Sequence, residues 1–274
     1  MASLVPKDEL KSWLDQWAAK YEQPNFIPLD PISIPHRYSR HEDIECAAFV
    51  TATIAWGRRA AILKSADHML TELGDSPVAF LVDASAEDLT EIHWAHRTFL
   101  PEDGHRFLHS LQLWYREHST MEGAFLPRAN EPDLHLAIDR FRQSFASFWL
   151  DTRSSKHLAS PSQGSAAKRL HLFLRWMVRS SDKGVDFGLW HNIDPKQLSC
   201  PLDVHSGNVA RSLGLLTRGA NDQRAVRDLD LALREFDSLD PVKYDFALFG
   251  MGEAGILSKN EVGSPLRISV SSRG

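Results

Sequence analysis

Apolar residues recur at helical spacing from one end of this chain to the other, and no stretch shows period-2 alternation around Asn-Gly or Asp-Gly turns. That pattern confines the chain to a mainly α architecture, expected here as a two-lobed helical bundle. Helices are predicted over 7–21, 42–56, 59–73, 104–118, 133–150, 165–180, 204–215, 222–235 and 241–251. Their ends carry the usual punctuation: Asp75-Ser76-Pro77 after one, Asp240-Pro241 opening another, Gly214 and Gly219 closing a third. The segment NFIPLDPISIP (25–35) holds three prolines and reads as an extended connector. The polar segment DTRSSKHLASPSQGS (151–165) reads as a linker between an N-terminal helical region, 1–150, and a second region, 151–257, with a frayed tail over 258–274. At 274 residues and 43% hydrophobic, the chain can bury a large core and form one big domain or two lobes of ordinary size.

Composition removes several classes. Cys46 and Cys200 are the only cysteines, too few for a disulfide framework or for the four thiolates of an iron–sulfur cluster, and they suit a reducing compartment. The start, MASLVPKDELKSWLDQW, lacks a secretory apolar core, and no apolar run is long enough to span a bilayer. The expectation is a cytoplasmic protein without a membrane partner. Neither a G-x-x-x-x-G-K-[ST] loop nor a G-x-S-x-G elbow occurs, which argues against nucleotide hydrolysis and α/β-hydrolase chemistry. The net charge of −5 weighs against a protein that coats nucleic acid. Locally the balance reverses, since Arg153, Lys156, Lys168, Arg169, Arg175, Arg179 and Lys183 are opposed between 153 and 183 only by Asp182.

On a helical wheel, SAAKRLHLFLRWMVRS gathers Ala166, Leu170, Phe173, Leu174 and Met177 on one face. Lys168, His171, Arg175 and Arg179 fall on the other as a basic stripe without acids at i+4. Such a stripe is either a solvated face or a surface that tracks phosphates along a cleft. Lys168 is placed one turn inside the helix, where the positive end of the dipole disfavours a charged amine and so suits a nucleophile. Asp203, in CPLDVH before SGNVARSLGLL, is well placed to N-cap a helix.

The set DPISIPH (30–36), AWGRR (55–59), HRTF (96–99), SAAKRLHLFLRWMVR (165–179), VDFGLW (185–190), PLDVH (201–205), GLLTR (214–218) and DPVKYDFALFGMG (240–252) resembles a bacterial family catalogued as a domain of unknown function. More distantly, PLDVH followed by VARSLGL resembles the catalytic signature of helix-hairpin-helix DNA glycosylases (the HhH-GPD fold), especially the archaeal 8-oxoguanine type. The resemblance implies that Lys168 attacks the sugar C1′, that Asp203 stabilises oxocarbenium-like charge, and that a damaged base is flipped out of duplex DNA to meet them. It also implies that Asp245 and Phe249, one turn apart in YDFALF, grip the flipped base. The sequence departs from the superfamily in its hairpin, SPSQGSAAKRL, which has one glycine where two are usual, and in the 35-residue separation of Lys168 and Asp203, though the archaeal enzymes also have a long spacer.

His205 within the motif, Lys156 in the linker and Arg97 in HRTF complete the candidate DNA-contacting set beside Arg175, Arg179 and His171. Thirteen histidines raise a metal reading through the pairs His93 and His96, His105 and His109, and His36 and His41, but no His-Glu-x-x-His pattern is present. The resulting expectation is a base-excision glycosylase with AP-lyase capacity, needing no cofactor or metal and partnered by damaged duplex DNA. The rivals are a helical module that binds DNA or RNA without cleaving it, and a metal-dependent hydrolase.

Overall fold

The computed structural model describes residues 6–255, so the tail expected from 258 onward lies outside the described residues. Among the described residues twelve α-helices follow in order: α1 (Lys7–Tyr21), α2 (His41–Thr53), α3 (Arg59–Thr71), α4 (Pro77–Asp83), α5 (Ala86–Glu91), α6 (Pro101–Glu117), α7 (Glu122–Phe125), α8 (His135–Phe145), α9 (Lys168–Val178), α10 (Val204–Ser212), α11 (Gln223–Arg234) and α12 (Tyr244–Glu253). No strand is present among the described residues, only two isolated bridges, His96 with Phe99 and Ser165 with Asp222. The mainly α reading holds, and no helix among the described residues is long and apolar enough to cross a membrane.

Three short helices escaped the periodicity because none is long enough to show it. Pro77 opens α4, and the reciprocal Ser85–Asp88 capping box opens α5. Two other readings need correction. The segment 25–35 is not extended: Pro24, Pro31 and Pro35 each begin a 3₁₀ turn, the fixed proline φ being as suitable for a tight turn as for an open chain. Nor is 151–165 a solvated linker. It forms 3₁₀ turns at Arg153–His157 and Pro161–Gln163, and Ser154, His157, Leu158 and Ser160 are buried.

Buried apolar side chains gather into two clusters whose division does not run at 150/151. The larger is built from the segment between Ile32 and Leu198, with Val242 added from the 3₁₀ turn before α12 and Phe246 from α12 itself. The smaller joins Leu10, Leu14 and Ala18 of α1 to Cys200, Leu202 and the apolar residues of α10, α11 and α12. The N-terminal helix therefore closes over the C-terminal helices, and Gly250 permits this because the Tyr21 ring lies where a Cβ would sit. Helix α12 contributes to both clusters, and α9 packs against α2 inside the larger one. Between them, at the start of α9 and the start of α10, lie Lys168 and Asp203.

Candidate active site

Lys168 is the first residue of α9 rather than a residue one turn inside it, because the hairpin before it is tightly specified. Gly164 adopts φ +88° and Ala167 φ +45°, a left-handed conformation unusual for a residue with a Cβ. Ser165 Oγ accepts the Ala167 amide at 3.1 Å, and the Gln223 amide at the head of α11 donates to the Gly164 carbonyl at 3.1 Å. A strained residue held by its surroundings in this way typically costs about 1–3 kcal/mol and is common beside functional groups. Here it aims the next side chain.

Asp203 is the N-cap of α10, as the sequence implied. Its Oδ1 accepts the amides of His205 at 2.8 Å and Ser206 at 3.0 Å, while Ser206 Oγ accepts the Asp203 amide at 3.0 Å. With Oδ1 committed to the cap, Oδ2 faces the Lys168 amine at 3.7 Å. The two side chains keep 29% and 39% of their surface, so the pair sits at the protein surface and can be reached by a ligand.

The rest of the predicted basic stripe is overturned. His171, Arg175 and Arg179 are 1%, 3% and 4% exposed, so they do not form a phosphate-tracking face. Arg175 is bonded to Asp245 and to Asp186 Oδ1 at 3.3 Å; Arg179 is bonded to Asp186 Oδ2 at 2.6 Å, Asp240 at 2.7 Å and Glu22 at 2.7 Å. Burial disfavours both guanidinium charges, yet the surrounding carboxylates outweigh it and hold both above the ordinary arginine range. The physical reason is that the larger core wraps this helix: Leu172, Trp176 and Val178, outside the apolar stripe, are buried in it as well. His171 lies with its ring 5.3 Å from that of His135, its Nδ1 without a partner, and burial drives it well below the usual imidazole value.

Asp245 is buried and spoken for by Arg175, with the Cys200 thiol 3.8 Å away, and so does not present a free carboxylate to a base. Burial raises its pKa despite Arg175 and Lys168 acting the other way. Burial also pushes the Cys200 thiol well up, which removes it as a nucleophile. Phe249, in contrast, lines an open cleft of about 390 Å³ with Tyr21, Phe26, Asp30 and Arg59. Sequence reasoning did not single out Asp30 as a site residue, although it begins the DPISIPH landmark. An Asp-Pro pair signals a turn, and its Oδ1 does accept the Ile32 amide at 3.0 Å, but nothing local announces that the turn opens onto a cleft.

His205, Lys156 and Arg97 are exposed. Arg97, at φ +54°, lies over Gly57, which cannot carry a Cβ there. Trp56 ties this corner to the start of α9: its ring is 5.0 Å from His96, 5.7 Å from His157 and 4.7 Å from the Arg169 guanidinium, which donates to the Thr53 carbonyl. Burial lowers Arg169 to about 10. Arg97, against Gly57, and Arg58 and Lys156, next in the chain to Gly57 and His157, are exposed, so the basic groups open to solvent here differ from the predicted stripe.

The histidines are not brought together as ligands. His96 engages Ser65 Oγ and the Trp56 carbonyl, both at 3.0 Å, and His105 engages the Ile92 carbonyl at 2.8 Å. Among the described residues no group of three or more His, Cys, Asp or Glu side chains is arranged to hold a metal ion.

Residues 30–254 match the family described as "Protein of unknown function (DUF2400)", and the chain belongs to that family. No curated protein and no solved structure matches it.

Proposed function

We propose that this chain is a DNA N-glycosylase of the helix-hairpin-helix type, with an AP-lyase step through a Schiff base on Lys168, acting on a damaged base. The observation that carries the reading is the meeting of the Lys168 amine and Asp203 Oδ2 at 3.7 Å, at the heads of two helices and open to solvent. A nucleophile beside an acceptor that its own cap holds rigid is the arrangement such chemistry needs.

The deprotonated Lys168 amine gives its lone pair to C1′ as the N-glycosidic bond breaks, and the base departs with that bond's electrons and takes up a proton. Asp203 Oδ2 stabilises the positive charge that develops over C1′ and O4′, then receives the proton lost by the newly bonded nitrogen. The nitrogen lone pair next expels O4′, which is protonated, and a protonated imine remains between Lys168 and the opened sugar. Phosphate contacts fall to the exposed Arg58, Arg97 and Lys156, not to the buried arginines of α9.

The test is borohydride trapping with duplexes carrying an abasic site or a panel of damaged bases, 8-oxoguanine included. Hydride delivered to the imine fixes protein to DNA as a stable amine. Wild type is expected to give an adduct, and Lys168→Ala to lose it by roughly three orders of magnitude or more. An adduct unchanged in Lys168→Ala, or none across the panel, overturns the reading. Salt-dependent DNA binding that survives Asp203→Asn without any adduct would assign the chain to the non-catalytic binding class instead.

A further inference from the structure

Lys168 and Asp203 are joined by 35 residues of chain, too long a path to fix how far apart their side chains stand. A much shorter path runs through Asn221, Asp222 and Gln223, at the head of α11. Asn221 Nδ2 donates to the Asp203 carbonyl at 2.8 Å. Asp222 forms the isolated bridge with Ser165, and the Gln223 amide donates to the Gly164 carbonyl at 3.1 Å, both in the hairpin that delivers Lys168. One short segment therefore touches the supports of both members of the pair, and two residues of chain reach at most about 7 Å. The segment is itself anchored. Asp222 Oδ1 accepts the Ala225 amide at 3.0 Å as the N-cap of α11, and the same carboxylate takes two bonds from the Arg218 guanidinium, at 2.8 and 2.6 Å.

We infer that Asn221 is the positioning residue of the Lys168–Asp203 pair, tying the head of α10 to the segment that also holds the Lys168 hairpin and so setting the distance at which amine and carboxylate meet. The Asp203 carbonyl accepts two donors: the Gly207 amide at 2.9 Å, which closes the first turn of α10, and Asn221 from outside that helix. The first bond orders the helix, and the second places it. The orientation of the Asn221 amide is forced. Its Oδ1 accepts from Arg211 Nη2 at 2.5 Å, and a guanidinium has no acceptor to offer, so Nδ2 is the atom turned to Asp203. Arg211 Nε in turn donates to the Arg218 carbonyl at 2.7 Å, which gives the GLLTR landmark a role. Gly207 leaves room for this approach, since a Cβ there would stand 2.7 Å from Asn221 Oδ1 and 2.9 Å from the Arg211 guanidinium. With its carbonyl held by Asn221 and Oδ1 held by the cap, Asp203 presents Oδ2 to Lys168. This inference rests on reading Lys168 and Asp203 as the reacting pair; Asn221 acts through Asp203.

Two substitutions in the full chain separate positioning from support of the loop. Asn221→Ala removes both side-chain bonds. Asn221→Asp keeps the size of the side chain and an oxygen for Arg211 but turns an acceptor toward the Asp203 carbonyl, so a residue that served only to hold Arg211 would survive it. In single-turnover borohydride trapping on an abasic duplex, both variants should form the adduct about ten- to a hundred-fold more slowly than wild type, the scale expected for a misplacement of about 1 Å. Both should bind a duplex carrying tetrahydrofuran, an abasic analogue that cannot form the imine, within about two-fold of wild type. A second readout needs no catalysis. Lys168→Met should move the ¹³C resonance of the Asp203 carboxyl in the otherwise wild-type chain, and should move it much less in the Asn221→Asp background. Trapping at the wild-type rate in both variants, a slower rate explained by weaker duplex binding, or a response of Asp203 to Lys168→Met that Asn221→Asp leaves unchanged overturns the inference. No trapping by wild type, with the Asp203 response present and lost in Asn221→Asp, would remove the glycosylase reading and leave Asn221 as the residue that sets the pair.

Discussion

Helix α9 places basic side chains at both ends, and the two ends are treated in opposite ways. Lys168, at the first position, retains 29% of its side-chain surface and faces one carboxylate that is itself 39% exposed. Arg175 and Arg179, two and three turns later, retain 3% and 5% and are enclosed by Asp186, Asp245, Asp240 and Glu22. A single exposed pair contributes little to stability and leaves its members free to act on something else. A closed set of buried charges must be mutually satisfied, because each unpaired member would forfeit its hydration with nothing in return. Position along one helix therefore separates a chemical group from structural ones of the same charge.

The sharpest way to break this comparison is to remove one buried partner. Arg175→Ala strips buried Asp245 of its guanidinium partner and leaves Asp186 with Arg179 alone, and is expected to destabilise the fold by about 3–5 kcal/mol, read from denaturant unfolding. Arg179→Ala should cost a similar amount. A loss below about 1 kcal/mol for either would mean that the later turns of α9 are a tolerant surface after all.

The middle of the helix sharpens the contrast through pH. His171 has its folded pKa driven well below the ordinary value near 6.5 by burial. The unfolded chain therefore binds a proton that the folded chain refuses, and this residue's contribution to stability is present above about pH 6.5 and lost as pH falls from there. His171→Phe should flatten the acid side of the stability profile relative to wild type. Parallel profiles for the two proteins over pH 7 to 5 would show that His171 is not sealed from protons.

The smallest effect is expected at the open end. Lys168→Ala should change stability by less than about 1 kcal/mol, since the partner carboxylate keeps its backbone cap and its contact with water. Its unfolding midpoint should stay near that of wild type while the covalent adduct disappears. A destabilisation comparable to Arg175→Ala would make Lys168 one more structural cation.

Much of the helical order was readable beforehand. The spacing of Leu10, Leu14 and Ala18 marks α1, and the expected span 7–21 is the observed one. Asp203 was legible as an N-cap because capping is a local contest between a side chain and the amides that follow it within a few residues. Arg175 and Arg179 were not legible as buried, since their partners at 22, 186, 240 and 245 come from distant segments and no i+4 acid betrays them. The wheel separated one apolar face from one basic face, but a helix enclosed on every side buries both. Asp30 and Arg59 were likewise unmarked as a pair, because what joins them is a cleft closed by the N-terminal helix packing onto α12.

Local chemistry alone thus established the mainly helical class, the capping role of Asp203 and the candidacy of Lys168, because periodicity, caps and turns depend on neighbours within a few residues. Tertiary structure alone decided which charges are buried, that the Lys168 amine and Asp203 carboxylate meet, and that Asp30 shares a cleft with Phe249. Burial and encounter depend on which surfaces the packed helices bring together, and that information is spread over the whole chain.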